Sequence, residues 1–369
     1  MRRLKEIAGI IALLAGTWLL FVHGIGGVTV GKLLAGPYAK TVEAASDAFE
    51  EAAKNEDSVV HSVLQNIQKD TDTENMAVVG ETHAQSEEIA EVKADNEPAI
   101  VPQNDIYVEF IDVGQGDSIL IVDDSEAMLI DTGVWEAYDN VCDALLDYGI
   151  NSIDTLVLTH PDADHIQSAP DIIEQYNVQT CYMPVIDNDT ASYQYTLDAL
   201  RDYGVSVIYP TAGEYIDFGT ASYEIVGPVY DIRGAYEDTN SYSIVIKMVN
   251  GEDSFLFTGD ATGEETDDIL NAGYDVSADV LKLAHHGSAN DGCNSEAFID
   301  SVNPRTMIVS CGYSNDYGHP HIETMALAKQ FNCELFRTDL QGSVSCVSTG
   351  NGITWNIEPT TVFTNGNGF

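Results

Sequence analysis

The sequence predicts an α/β protein, with two sheets sandwiched between helices and carried behind an N-terminal membrane anchor. Three observations predict it. Residues 7–30 form a run of 24 without a formal charge, directly behind a basic tip. An acidic stretch poor in aromatics comes next and ends near Asp105. Beyond it, apolar runs of strand length come in pairs and are followed by single helical patterns, the order expected of layered sheets and helices.

Residues 1–6 hold Arg2, Arg3 and Lys5 and read as a cytoplasmic tip. At about 1.5 Å per residue, residues 7–30 span roughly 36 Å, enough for a hydrocarbon core of about 30 Å. The basic flank holds the tip inside and exports the remainder of the chain, giving a single-pass cell-membrane protein with its main domain extracytoplasmic. A cleaved signal peptide is the alternative and would leave the protein secreted. No small-x-small cleavage site lies at the right distance, so the uncleaved anchor is preferred. Residues 31–103 combine a helical stalk, with apolar spacing at Phe49, Val59, Val60, Val63, Leu64 and Ile67, and an acidic linker. That linker has too little apolar surface to offset its ordering entropy.

Residues 104–360 read as one domain, and 361–369 as a tail. Strands are expected at 106–113, 118–122, 128–130, 155–158, 205–209, 222–226, 242–249, 254–257, 280–283 and 306–309. Helices are expected at 136–148, 170–176, 193–203, 263–271, 295–301 and 322–331. A hairpin around Gly350-Asn351-Gly352 closes the domain.

The 369 residues carry a formal net charge of −45. Residues 101–369 alone hold 7 Lys/Arg against 44 Asp/Glu, a net of about −37. Such a surface repels polyanions, so tight sequence-independent DNA binding is disfavoured unless metal ions or a partner supply positive charge. No basic, aromatic groove sequence is evident. Six cysteines lack any Cys-x-x-Cys pair, which argues against a thiolate zinc site. Buried free thiols are expected, with Cys333 and Cys346 the one pair a terminal hairpin could bring together.

The chemistry gathers where strands end. Thr159-His160-Pro161-Asp162-Ala163-Asp164-His165 comes directly after the apolar run 152–158 and puts two histidines and two carboxylates into six positions. Charge crowded so closely calls for a cation, and these residue types are metal ligands. Further candidates end other strands: Asp260 after Thr258-Gly259, the pair His285-His286 before Gly287-Ser288, and His319 and His321 in "YGHPHIE". Six of the nine histidines fall in these clusters, and the other three precede the domain.

The segments "FIDVGQGDSILI", "MLIDTG", "LVLTHPDADHI", "TNSYSIVIKM", "FLFTGDA", "VLKLAHHGS" and "YGHPHIE" resemble, in this order, the metallo-β-lactamase superfamily. They are most similar to the hydrolase domain of ComEC-type DNA-uptake competence proteins. The resemblance covers about 105–358 and implies an αββα sandwich with two divalent metal ions, Zn or Mn, at one edge of the sheets. It implies one metal held by Asp164, His165 and a histidine of the His285-His286 pair, and another held by His160 and Asp162, with Asp260 bridging. His286 is the preferred member of the pair, with His285 packing or hydrogen bonding behind it. Asp162 stands where the superfamily usually has a second histidine, which makes that site harder and shifts preference toward Mn²⁺ or Mg²⁺ relative to Zn²⁺. No histidine lies between His165 and His285 to complete it, so Asn240 or His319 is the substitute.

The expected mechanism uses a metal-bridged hydroxide, oriented by Asp164. His319 or His321 would give the leaving group its proton. Gly287 and Ser288 would donate hydrogen bonds to a phosphoryl oxygen. Asp117 and Asp131 would orient ligands from behind or simply form turns. The leading function is a membrane-anchored phosphodiesterase or nuclease-like hydrolase, its substrate a phosphodiester with DNA among the candidates. The alternatives are a hydrolase of a cell-wall phosphodiester, another ester or a lactam, or a non-catalytic metal-binding scaffold. With one apolar span, the chain is not expected to form a DNA pore by itself.

Overall fold

Two similar halves build the domain in the computed structural model, which describes residues 105–230 and 233–367. In the first half, β1 (Ile106–Phe110), β2 (Ile119–Asp123) and β3 (Glu126–Ile130) form an antiparallel meander. Helix α1 (Tyr138–Asp147) then leads to β4 (Thr155–Val157). Helices α2 (Ala163–Ile166) and α3 (Ala169–Gln175) lead to β5 (Thr180–Tyr182), and α4 (Ala191–Tyr203) leads to β6 (Ser206–Ile208). From β3 to β6 the pairing is parallel.

The second half repeats the scheme. An antiparallel meander of β7 (Ser222–Gly227), β8 (Val245–Asn250) and β9 (Asp253–Phe257) comes first. Next come α5 (Gly263–Ala272), β10 (Val280–Lys282), α6 (Glu296–Val302), β11 (Thr306–Val309), α7 (Ile322–Gln330) and β12 (Glu334–Arg337). These last strands pair in parallel. After α8 (Thr338–Gln341), the hairpin β13 (Val344–Ser348) and β14 (Ile353–Trp355) returns to the first sheet beside β1. The sheet orders are β14-β13-β1-β2-β3-β4-β5-β6 and β12-β11-β10-β9-β8-β7.

Alternation along the strands makes the layers. Ile119 and Ile121, Met128 and Ile130, and Val157 face the second sheet, where they meet Ile225, Ile246, Phe255, Phe257 and Ile308. Their neighbours Leu120, Leu129 and Leu156 point outward to Val141, Ala144 and Leu145 of α1 and to Ile172 and Leu200. The second sheet likewise turns Leu256, Leu281 and Met307 toward Ile269, Phe298 and Met325 of its own helices. Side-chain period 2 in the strands and 3.6 in the helices thus gives one core between the sheets and one on each outer face.

Caps set helix ends. Thr190 accepts from the Tyr193 N–H at the start of α4, and Ser295 from the Phe298 N–H at the start of α6. Gly204 and Asn303 close those helices in the left-handed region.

The structure departs from the sequence reading in several places, among them the added short helices α2 and α8 and a first strand that ends at Phe110. Strands β5 and β12 are additional. The former has only three residues, and the latter ends in the charged but buried Arg337. The strand expected from 242 begins at Val245, because residues Thr239–Tyr242 form a 3-10 turn capped by Asp238. The tail joins the domain: Arg337 donates to the Thr364 carbonyl at 2.6 Å, and the Gly366 N–H donates to the carbonyls of Gly318 and Pro320. All six cysteines are free, and Cys333 and Cys346 lie in different core layers. The expected anchor, stalk and linker lie outside the described residues. Among the described residues no helix is long and apolar enough to cross a membrane.

Candidate metal centre

The ends of β3, β4, β9, β10 and β11 all feed one edge of the sandwich, where loops bring the polar residues together. Asp131, directly after β3, is a non-glycine residue in the left-handed region (φ 58°). Its Oδ1 accepts from the Thr159 N–H at 2.8 Å, and its Oδ2 accepts from the Thr159 hydroxyl and from His165 Nδ1, both at 2.7 Å. With Thr159 Oγ1 committed as a donor to Asp131, it accepts from His160 Nδ1 at 3.1 Å. One buried carboxylate therefore sets the tautomer of two histidines and leaves both Nε2 atoms free to ligate.

His285 and His286 occupy a 3-10 turn, Ala284–Gly287, after β10, and both have left-handed backbones (φ 48° and 55°). Two such residues in succession store backbone strain. The strain aims His286 inward. Its Nδ1 donates to the Ser310 carbonyl at 3.0 Å, and its Nε2 lies 3.3 Å from both Asp164 Oδ2 and Asp260 Oδ2.

Asp260 is the hub. Its carboxylate oxygens lie 3.3 Å from His165 Nε2, 3.9 Å from His160 Nε2, 3.7 Å from His285 Nε2 and 3.3 Å from His286 Nε2. Its backbone is held by the Ser243 hydroxyl, which accepts the Asp260 N–H at 3.1 Å. Donor atoms of Asp117, His165, Asp260 and His286, all four buried, lie within 4.8 Å of one another. The Nε2 atoms of His160, His165 and His286, with Asp260 Oδ1 and Asp117 Oδ1, are buried without a hydrogen-bond partner. Each orphaned polar atom costs about 1–3 kcal/mol. Three imidazoles and carboxylates left open toward one point are the donor set of a divalent metal site, and the residues fit such ions.

The charges match the geometry. Burial alone would lower the His165 and His286 pKa values, but the Asp260 carboxylate, with Asp131 for His165 and Asp117 and Asp164 for His286, holds both well above the ordinary value. Burial and the His165 charge push His160 down to about 4. Burial opposes ionisation of Asp164, yet the hydrogen bond from His286 and the charge of His165 hold it below the usual carboxylate range. Burial raises Asp162, whose Oδ1 accepts from Thr239 at 3.2 Å.

These shifts set a pH test. A histidine with a raised folded pKa contributes stability below its unfolded value near 6.5, and that contribution is lost as pH rises through the folded value. Metal binding needs the neutral rings and strengthens as their protons leave. The Tm difference between metal-loaded and chelator-stripped protein is therefore expected to widen from about pH 6 to about pH 8.5. A gap that narrows over that window contradicts ligation by His165 and His286.

The remaining predicted residues divide. His319 reaches the centre, its ring 5.4 Å from that of His285 and 5.9 Å from that of His286, with Nδ1 buried and unpartnered. Burial and the neighbouring histidines push its pKa down to about 3, which favours the neutral ring. His321 is not available as the acid. Its Nδ1 accepts from the Ala289 N–H at 2.9 Å and its Nε2 donates to the Tyr317 carbonyl at 3.2 Å.

Ser288 is likewise not the expected phosphoryl donor. It is fully buried, its N–H donates to the His285 carbonyl at 2.8 Å, and its hydroxyl accepts from the Asn290 N–H. Gly287 provides close packing, since a Cβ there would lie 2.7 Å from Pro320 Cβ. Asn240 lies in the 3-10 turn before β8, buried, with Oδ1 unpartnered.

Asp117, expected behind the ligands, lies within the cluster itself. Its Oδ2 accepts from Lys282 Nζ at 2.6 Å and its Oδ1 is 3.4 Å from His286 Nδ1. Lys282, fully buried on β10, is a residue the sequence reading missed. Its signal was a lone cation in the apolar run "VLKLA", where only a buried carboxylate could satisfy it. Thr159 and Ser243 were missed too, since neither stands out from an ordinary strand-end hydroxyl.

Residues 111–293 match the sequence model of the Metallo-beta-lactamase superfamily. With the fold and the clustered ligands above, this stretch is a metallo-beta-lactamase domain. Its relatives are ComEC-type competence proteins. The chain is 29% identical over 255 residues to ComE operon protein 3 of Bacillus subtilis, covering 64% of this chain and 32% of that protein. It is 26% identical over 257 residues to Competence protein ComA of Neisseria gonorrhoeae, covering 67% and 33%. The chain thus spans about a third of the length of these relatives. Among solved structures, the metallo-beta-lactamase fold protein YhfI from Bacillus subtilis matches 69% of this chain and 100% of its own, with a TM-score of 0.46 and 11% identity.

Proposed function

We propose that the protein is a membrane-anchored, extracytoplasmic phosphodiesterase that works with two divalent ions, Mn or Zn. The observation that carries this reading is the convergence of four histidine Nε2 atoms on the two oxygens of Asp260. Asp164, His165 and His286 would hold one ion, His160 and Asp162 the other, with Asp260 between them and Asp117 beneath His286. When bound, divalent ions supply Lewis-acid activation of water and neutralise charge developing on a phosphoryl oxygen.

The chain's own residues do the positioning. Asp131 and Thr159 fix the rings of His165 and His160. Asp164, ionised and with its side chain 30% exposed, faces the opening and orients an incoming water. His319, neutral, donates its N–H to the departing oxygen. The charge-free run 7–30 and its basic flank support the anchor, and the competence relatives support a role at the cell envelope.

The expected result is hydrolysis of bis-p-nitrophenyl phosphate by the Mn²⁺-loaded chain, with no turnover of the lactam nitrocefin. Cleavage of nitrocefin alone sinks the phosphodiesterase reading. Anchoring is checked by carbonate washing of membranes, after which the chain stays in the pellet. Release into the wash removes the anchor.

A further inference from the structure

Resting on the phosphodiesterase reading, a second question is which phosphodiesters the site admits. All seven Lys and Arg side chains of residues 101–369 are engaged. Six have a carboxylate oxygen at 2.5–3.1 Å. The seventh, Lys329, has its ammonium 5.3 Å from the centre of the Phe363 ring. Two of the paired cations, Lys282 and Arg337, are buried as well. A strand of phosphates approaching this domain would face a net charge of about −37 and, among the described residues, no unengaged cation. Each phosphate beyond the one at the centre adds repulsion, the reverse of what polyanion binders use.

A neutral handle stands beside the site instead. Tyr317 stacks on His319, with ring centroids 5.6 Å apart and planes 19° from parallel, while 66% of the residue stays exposed. Its carbonyl accepts from His321, so the loop is fixed from behind. The open face of Tyr317 is a flat apolar platform one ring away from the centre. Planar rings stack on such faces without needing charge.

We propose that the site takes a small phosphodiester of one or two charges, bearing a planar ring that stacks on Tyr317, and not an extended polyanionic strand.

The test uses the full Mn²⁺-loaded chain and three probes: bis-p-nitrophenyl phosphate, a thymidine dinucleotide, and a thymidine oligomer of about 20 nucleotides. From the dinucleotide to the oligomer, kcat/KM per scissile bond is expected to fall several-fold, and for the oligomer it is expected to rise with added salt. A value that grows with length and drops about 10²-fold or more between about 50 and about 200 mM salt overturns the inference, because multiple phosphate contacts behave that way. Tyr317→Leu is expected to raise KM for bis-p-nitrophenyl phosphate about 5- to 20-fold with little change in kcat, and Tyr317→Phe to keep the original KM. Unchanged KM in the leucine variant, at equal metal content, removes the platform. If the loaded chain cleaves none of the three probes, both this inference and the phosphodiesterase reading fall. Cleavage with the opposite length dependence removes this inference alone.

Discussion

Asp260→Ala is expected to lower hydrolysis by more than about 10²-fold, beyond the usual cost of altering an outer support of a metal ligand. Bound metal should fall with it, from about two ions per chain to fewer than one. The reason is geometric: the two Asp260 oxygens lie 3.3–3.9 Å from four histidine Nε2 atoms, so this one side chain approaches all four rings of the centre. A second readout does not depend on turnover. Without this carboxylate the raised pKa values of His165 and His286 lose a principal support, and burial then favours the neutral rings. The metal-free variant should therefore show a flatter dependence of Tm on pH than the metal-free parent. Full activity and full metal content in a well-folded Asp260→Ala protein sink the two-metal centre.

Gly116→Ala is expected to be the most damaging glycine substitution of the first loop. Gly116 has φ 140°, and a Cβ there would lie 2.1 Å from the Asp164 carbonyl oxygen. The same carbonyl accepts the Asp117 N–H at 3.3 Å, so the loop after β1 and helix α2 are locked through this contact. An added methyl must push α2 away and carry Asp164 and His165 with it. The cost is about 1–3 kcal/mol of stability, with activity and metal content reduced together. Gly114→Ala is the control. Gly114 is also left-handed (φ 70°), but a Cβ there meets nothing within 4 Å. It should lose about 1–2 kcal/mol from backbone strain while keeping its metal. Equal metal loss in the two variants would show that strain, and not the approach to Asp164, controls the site.

Much of this was legible in the sequence, and the limits have physical causes. Apolar runs of strand length and helix spacing are local, so the layered fold could be read from paired runs such as 118–122 and 128–130 followed by the helical pattern 136–148. Histidines clustered at strand ends were equally visible, because four ligand residues in six positions have few other uses. What stayed hidden depends on long-range contact. Lys282 reaches Asp117 across 165 positions. Ser288 resembles an exposed donor after a histidine pair, yet Asn294 and Thr324 bury its carbonyl and the turn takes its N–H. His321 looks as reactive as His319 until the Ala289 and Tyr317 backbones are seen to occupy both ring nitrogens. The tail lacks strand and helix patterns, so nothing local shows that Gly366 approaches the His319 carbonyl so closely that a Cβ would fall 1.8 Å from it.

The most direct test of the proposed metal-dependent phosphodiesterase activity is a titration of the chelator-stripped full chain with Mn²⁺, monitoring bound ions and bis-p-nitrophenyl phosphate hydrolysis in the same samples. Stripped protein should be inactive, and activity should appear as metal fills the centre and saturate near about two ions per chain. Hydrolysis that persists in the stripped protein, or a fully loaded chain that cleaves no phosphodiester, would contradict the account.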